Sequence, residues 1–152
     1  ISLADISNIG AVHFIGSGPK LNHYKTQLKN VSIPTYFHGF LARDKVFEIY
    51  KKSQFFWLPS SASEGFPKVI AEAMNFGCIP IVSTVSSIGQ YITTDVGFPI
   101  QSLDSKELAI EISAIVLSSE EKLKEKSKKG YIVAETFTFD YYQKRIKTEI
   151  LN

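Results

Sequence analysis

Cysteine, methionine and tryptophan occur once each in 152 residues. A lone Cys78 excludes an internal disulfide and any cysteine-based metal cluster, and it fits a reducing cytosol. No Asp-x-Asp occurs, nor any His/Asp group at metal-ligand spacing, so no metal and no cofactor are expected. No apolar run approaches the roughly 20 residues that span a bilayer, and no secretory signal is visible. A cytoplasmic placement is expected, with peripheral contact at the inner face of a membrane as the further option. Neither charge sign dominates: 17 Lys and Arg oppose 15 Asp and Glu, leaving +2, too little to make nucleic acid a main partner. Internal repeats and low-complexity linkers are absent, so residues 1–152 are expected to form a single domain. The chain opens on Ile1 rather than Met, which predicts a piece of something longer.

What is present is a 44% hydrophobic chain that can bury one core. Short β-rich runs alternate with helical patterns. AVHFIG (11–16), PTYFHG (34–39), QFFWLPS (54–60), CIPIVST (78–84) and VGFPI (96–100) read as strands or extended segments. Helices are expected over 20–30, 44–53, 67–76, near 87–92, over 105–117 and 120–135 (interrupted near Gly130), and from Asp140 onward. This alternation specifies an α/β fold with a Rossmann-like, mostly parallel β-sheet flanked by helices. Ligands of such sheets sit beyond the carboxyl ends of the strands. The informative loops are therefore Gly16 to Pro19, His38 to Leu41, Pro59 to Pro67, and Ser83 to Gly89.

The third of these runs into SEGFPKVIAEAM (63–74), where two glutamates stand eight positions apart around Gly-Phe-Pro. A helix starting near Pro67 presents unpaired N–H groups and its positive dipole end, a setting suited to anions. Gly65 lets backbone approach a ligand closely. Glu64 stands ahead of that point, and Glu72 lies roughly 7 to 8 Å along the helix axis from Pro67. A diphosphate flanked by two hydroxyl-rich groups fits the arrangement, which describes a nucleotide diphosphate sugar. The plainer alternative makes Glu64 a dipole partner and Glu72 a solvated residue. Val69, Ile70, Ala73 and Met74 around Glu72 place its carboxylate near a packed surface, where it needs partners.

The stretch from Gln54 through Pro80, above all Glu64-Gly65-Phe66-Pro67-Lys68-Val69-Ile70-Ala71-Glu72-Ala73-Met74 followed by Gly77-Cys78-Ile79-Pro80, resembles the E-x7-E region of family 4 retaining glycosyltransferases. The likeness extends to Ile15 to Pro19, Phe37-His38-Gly39 and Gly97 to Ile100, covering roughly residues 11 to 115. It implies the C-terminal, donor-binding half of a two-domain GT-B enzyme. That enzyme would move a sugar from a nucleotide diphosphate donor to an acceptor hydroxyl with retention, in polysaccharide or glycan biosynthesis. By the same likeness, Glu64 would face the donor sugar as the catalytic glutamate and Glu72 would bind the ribose. Backbone N–H groups at Phe66, Lys68 and Val69 would hold sugar hydroxyls and phosphates. Gly16, Gly18, Gly39 and Gly65 would shape the donor loops, and the backbone near Leu41 would meet the base. The acceptor, a glycan or lipid-linked sugar, would belong to a missing N-terminal domain, leaving the isolated domain inactive. Two departures stand out. Pro67 replaces a glycine common in the family and deletes one N–H donor. The Arg- and Lys-bearing first loop of such domains is not found before residue 11.

Other residues carry plainer readings. Gly16-Ser17-Gly18 lacks the third glycine of a dinucleotide fingerprint, since Leu21 stands there, which argues against the competing NAD(P)-binding oxidoreductase. A non-catalytic, receiver-like α/β module is the third option; it needs an acidic pocket where Gly16 and Gly39 stand. His13 and His23 show no partner pattern, and His38 reads as a structural residue or a donor to ligand. Phe55-Phe56-Trp57 reads as core. Lys68 could neutralise phosphate or point into solvent. EEKLKEKSKK (120–129) reads as a solvated helix face with i,i+4 pairs, or as a weak attraction to anionic lipid.

Overall fold

Ile79-Pro80-Ile81-Val82-Ser83 is buried at all five positions, and the fold is laid out around this strand. The computed structural model describes residues 8–61 and 65–151, so Glu64 lies outside the described residues. In chain order the elements are β1 (Val12–Phe14), α1 (Leu21–Gln27), β2 (Thr35–Phe37), α2 (Arg43–Tyr50), β3 (Phe55–Leu58), α3 (Lys68–Met74), β4 (Ile79–Ser83), α4 (Ile88–Tyr91), β5 (Phe98–Ile100), α5 (Ser105–Val116), α6 (Glu120–Glu135) and α7 (Phe139–Glu149). Among the described residues the strands β1–β2, β3–β4 and β4–β5 pair in parallel, as the strand–helix alternation requires. The sheet comes in two parts, β1-β2 and β3-β4-β5, and among the described residues no strand joins β1 to β3.

Side chains alternate across β4, so it feeds two packed layers. Val82 joins Ile70 and Met74 from α3, Ile88 from α4, Ile92 and Val96 from the segment between α4 and β5, and Ala134 from α6. Ile81 joins Ile100 and Ile115 under α5. A third cluster, Tyr50, Ala73 and Cys78 with Phe47, Phe56 and Phe76, seats α2 against α3. Fully burying each such aliphatic side chain is worth about 1.5–3 kcal/mol. Phe56 fulfils the core reading of its run, but Trp57 points to the other face and is 38% exposed.

α3 ends as its sequence predicts. Gly77 takes φ +83°, its N–H bonds Met74 O at 2.9 Å, and Cys78 N–H reaches back to Ala73 O at 3.2 Å. That left-handed turn is open to glycine at little strain. Gly130 does not interrupt α6, contrary to expectation: it is buried inside a continuous helix, where a side chain would meet Met74. The space beside it holds a Cβ at ordinary contact distance, 3.5 Å from Met74 Sδ. The charge run also departs from a wholly solvated face. Lys124–Glu120 and Lys129–Glu125 form the expected i,i+4 pairs, but Lys126 turns inward. Its ammonium donates to the carbonyls of Thr94 and Gly97 and lies 4.7 Å from the Phe98 ring centre. Burial, reinforced by Lys122, lowers its pKa.

Cys78 is the core thiol its sequence suggests, with Sγ 3.3 Å from the carbonyls of Tyr50 and Ser53. Burial pushes its pKa up to about 11. The native thiol should therefore resist iodoacetamide at pH 8 and react only when the chain unfolds, read by mass shift with and without urea. Because the folded value is raised, the thiol's contribution to stability is intact below the ordinary cysteine range. It is lost as pH climbs through that range toward about 11.

Candidate donor-binding site

The loops at the carboxyl ends of the strands meet in pairs. Gly16 N–H donates to Gly39 O at 2.7 Å, and His38 N–H donates to Phe14 O, so the loops after β1 and β2 are stitched together. Gly39 takes φ +65°, which spares the closure a Cβ penalty. Gly18 has open space where a side chain would be, and Leu41 follows on the approach to α2. On the other side, Ser83 Oγ donates to Ser60 O, and Gly65 N–H donates to Ser86 Oγ at 3.2 Å. The loops after β3 and β4 are thereby joined. Ser86 is a non-glycine residue at φ +57°, a local strain held by its surroundings.

At the mouth of α3, Pro67 is the N-cap rather than a first-turn residue, with ψ 119°, and its own side chain makes no capping hydrogen bond. Ile70 N–H returns to Pro67 O. Proline therefore sits where its missing N–H removes no bond of the helix itself. Lys68 and Val69 are exposed at this end. The Phe66 ring is stacked on Phe137 at 4.2 Å and meets Tyr91 edge-on at 5.1 Å. That grip from α4 and the α6–α7 junction fixes the backbone leading into the mouth.

Glu72 projects from α3 toward α2, not into solvent alone: its side chain is 31% exposed, and Oε1 accepts from Arg43 Nη2 at 3.2 Å. This supplies the partner that its apolar surroundings demand. Tyr50 lies close enough that, after burial, the Glu72 charge is the next cause raising its pKa to about 12. Arg43 is a residue that sequence reasoning missed; its position as first residue of α2, directly after the loop 38–42, was the available signal. His13 was also underread. Its Nδ1 lies 2.9 Å from His38 Nε2, and the near-parallel rings with centres 5.2 Å apart leave room for an edge-to-edge hydrogen bond in one plane. The His13 pKa is lowered by burial first, then by the positive fields of His38 and Lys52. Among the described residues no three His, Cys, Asp or Glu gather as a metal-binding group. An open depression lined by Lys25, Leu28, Val31, Pro34 and Phe37 lies at the amino end of β2, the wrong edge for these loops.

The structure thus joins Gly16 with Gly39 and Gly65 with the Ser86 loop, and it ties the α2 entrance to Glu72. A profile of the glycosyl transferases group 1 matches residues 9–132, most of the chain. The chain belongs to this family. That membership displaces the oxidoreductase and receiver-like readings. Among solved structures, it is similar to Alr3699/HepE from Anabaena in complex with UDP-glucose, at 20% identity and TM-score 0.73, over 90% of this chain and 39% of that one. Sucrose-phosphate synthase from Thermosynechococcus elongatus matches at 20% identity and TM-score 0.74, over 89% of this chain and 36% of that one. The C-terminal domain of a group 1 glycosyl transferase, LpcC from Francisella tularensis, matches at 20% identity and TM-score 0.64, over 80% and 65%. No curated protein matches the chain. The fold is that of a GT-B C-terminal domain, and the chain spans about two fifths of the first relatives' length. No helix among the described residues is long and apolar enough to cross a membrane.

Proposed function

We propose that the chain is the donor-binding half of a family 4 retaining glycosyltransferase, which transfers a sugar from a nucleotide diphosphate to an acceptor hydroxyl. The observation that carries this reading is the group 1 family match over 9–132, which spans the loops and α3. UDP-sugars are the first donors to test, because HepE is described in complex with UDP-glucose. In this reading Glu72 receives the ribose hydroxyls and Glu64 faces the sugar. The N–H groups of Phe66, Lys68 and Val69, with the loops at Gly16, Gly18, Gly39, Leu41 and Gly65, hold the diphosphate and base. Departure of the diphosphate builds negative charge on the leaving group and an oxocarbenium-like cation on the sugar. Preorganised N–H dipoles stabilise the former without a metal, and the leaving phosphate takes the acceptor's proton. The acceptor glycan or lipid-linked sugar, and any contact with a membrane's inner face, are assigned to a further N-terminal domain. The 152-residue chain is accordingly one domain that binds donor and transfers nothing.

Isothermal titration with UDP, UDP-glucose and GDP tests this directly. Removing a charged hydrogen-bond partner costs about 1.5–3 kcal/mol, so Glu72→Ala should weaken every ribose-bearing ligand by about ten- to a hundredfold. Glu64→Ala should weaken UDP-glucose while leaving UDP nearly unchanged. Equal losses for UDP in both variants would contradict the two assignments.

A further inference from the structure

Arg43 links α2, which follows the first stitched pair of loops, to α3, which follows the loop after β3. It begins α2 immediately after the loop that carries Gly39 and Leu41, and its guanidinium reaches α3 to hold Glu72 Oε1 at 3.2 Å. A second contact comes from its own helix, where the guanidinium carbon lies 5.0 Å from the centre of the Phe47 ring. The Arg43 side chain is nonetheless 72% exposed. An ion pair this exposed adds little to folding stability, so holding α2 to α3 is a poor account of it; the aromatic cluster around Tyr50 and Phe76 already does so.

The pair engages one carboxylate oxygen. Among the described residues, Glu72 Oε2 has no protein hydrogen bond. A glutamate free to turn must be ordered when a ligand binds, whereas one already clamped through Oε1 presents its second oxygen at less entropic loss. We propose that Arg43 is a positioning residue for the donor nucleotide. Its grip on Oε1 leaves Oε2 set for the cis-diol of a ribose, and it couples the loop 38–42 to α3. This rests on the reading of Glu72 as the ribose acceptor.

The test is UDP titration on the 152-residue chain as wild type, Arg43→Ala, Arg43→Gln, Arg43→Lys, Glu72→Ala and Arg43→Ala/Glu72→Ala, with thermal melts as a folding check. The loss of one pre-ordered side chain predicts that Arg43→Ala and Arg43→Gln bind UDP about three- to tenfold more weakly. Arg43→Lys should recover part of this, and melting should move little. In the Glu72→Ala background the Arg43 effect should vanish, and it should shrink likewise for 2′,3′-dideoxy-UDP. An Arg43 effect undiminished in Glu72→Ala shows a direct ligand contact and overturns the proposal. UDP binding unchanged or tighter in Arg43→Ala overturns it too, while a weak Glu72→Ala leaves the ribose assignment standing. If Glu72→Ala itself binds UDP like wild type, the ribose assignment fails and this proposal fails with it.

Discussion

Gly97→Ala should destabilise the chain by about 3 kcal/mol or more, at the upper end of what overpacking does, and lower its melting temperature by about 6–12 °C. A Cβ at Gly97 would lie 2.5 Å from the Pro80 carbonyl oxygen, 2.8 Å from Pro80 Cγ and 3.0 Å from Ile92 Cγ2. The first neighbour is backbone of the central strand and cannot swing aside as a side-chain end would. Relief requires β5 to move off β4 just before Ile81 pairs with Phe98. That movement would also disturb the Gly97 carbonyl, which accepts from Lys126. Pro80 survives in this strand for the same local reason. Ile79 N–H bonds Gln54 O toward β3, so the proline nitrogen faces β5 where that strand has yet to begin. Gly130→Ala is the control: its Cβ would meet Met74 Sδ at 3.5 Å, ordinary contact. Removing an interior helical glycine should then gain up to about 1 kcal/mol. Melting by circular dichroism separates the two, and a Gly97→Ala chain that melts with wild type would disprove the close approach of β5 to β4.

The same contrast explains what could be read from one dimension. The continuous apolar run over 55–58 and the Gly77 stop carry their reasons locally, in composition and allowed φ, and both elements stand where the pattern puts them. Gly130 and Gly97 look alike as letters, yet a Cβ at the first would only touch a methionine side chain and a Cβ at the second would strike the backbone of β4. Only the packing distinguishes them. Lys126 sits in a run of charges whose local pattern is a solvated face, and its inward turn is set by carbonyls about 30 residues away. His13 and His38 are 25 residues apart, and Arg43 and Glu72 are 29 apart. Neither pair has a spacing rule, because each depends on which strands and helices become neighbours. The candidate site follows the same division. Its loops were legible from the strand–helix order, and the cation that meets Glu72 was not.

Met74→Ala should be the other large effect, and it bears on how α3 is held. Met74 is fully buried in the cluster with Ile70, Val82, Ile88, Ile92, Val96 and Ala134. Truncation removes its packing and leaves a cavity walled by four elements, so about 2–5 kcal/mol is expected, up to half the stability of an ordinary domain. The Met74 thioether lies against α6 at Gly130, where an added Cβ would just touch it and leave no space for a longer side chain. Gly130→Leu should therefore harm the wild type by overpacking yet partly refill the cavity in Met74→Ala, a non-additivity of about 1 kcal/mol or more in urea denaturation. Additive losses would show that the two positions do not share one space. Glu72 stands two residues before Met74 but faces α2, where Arg43 holds it. UDP affinity measured well below the melting transition should consequently survive Met74→Ala and fall in Glu72→Ala, separating the residue that anchors the helix from the one that uses it.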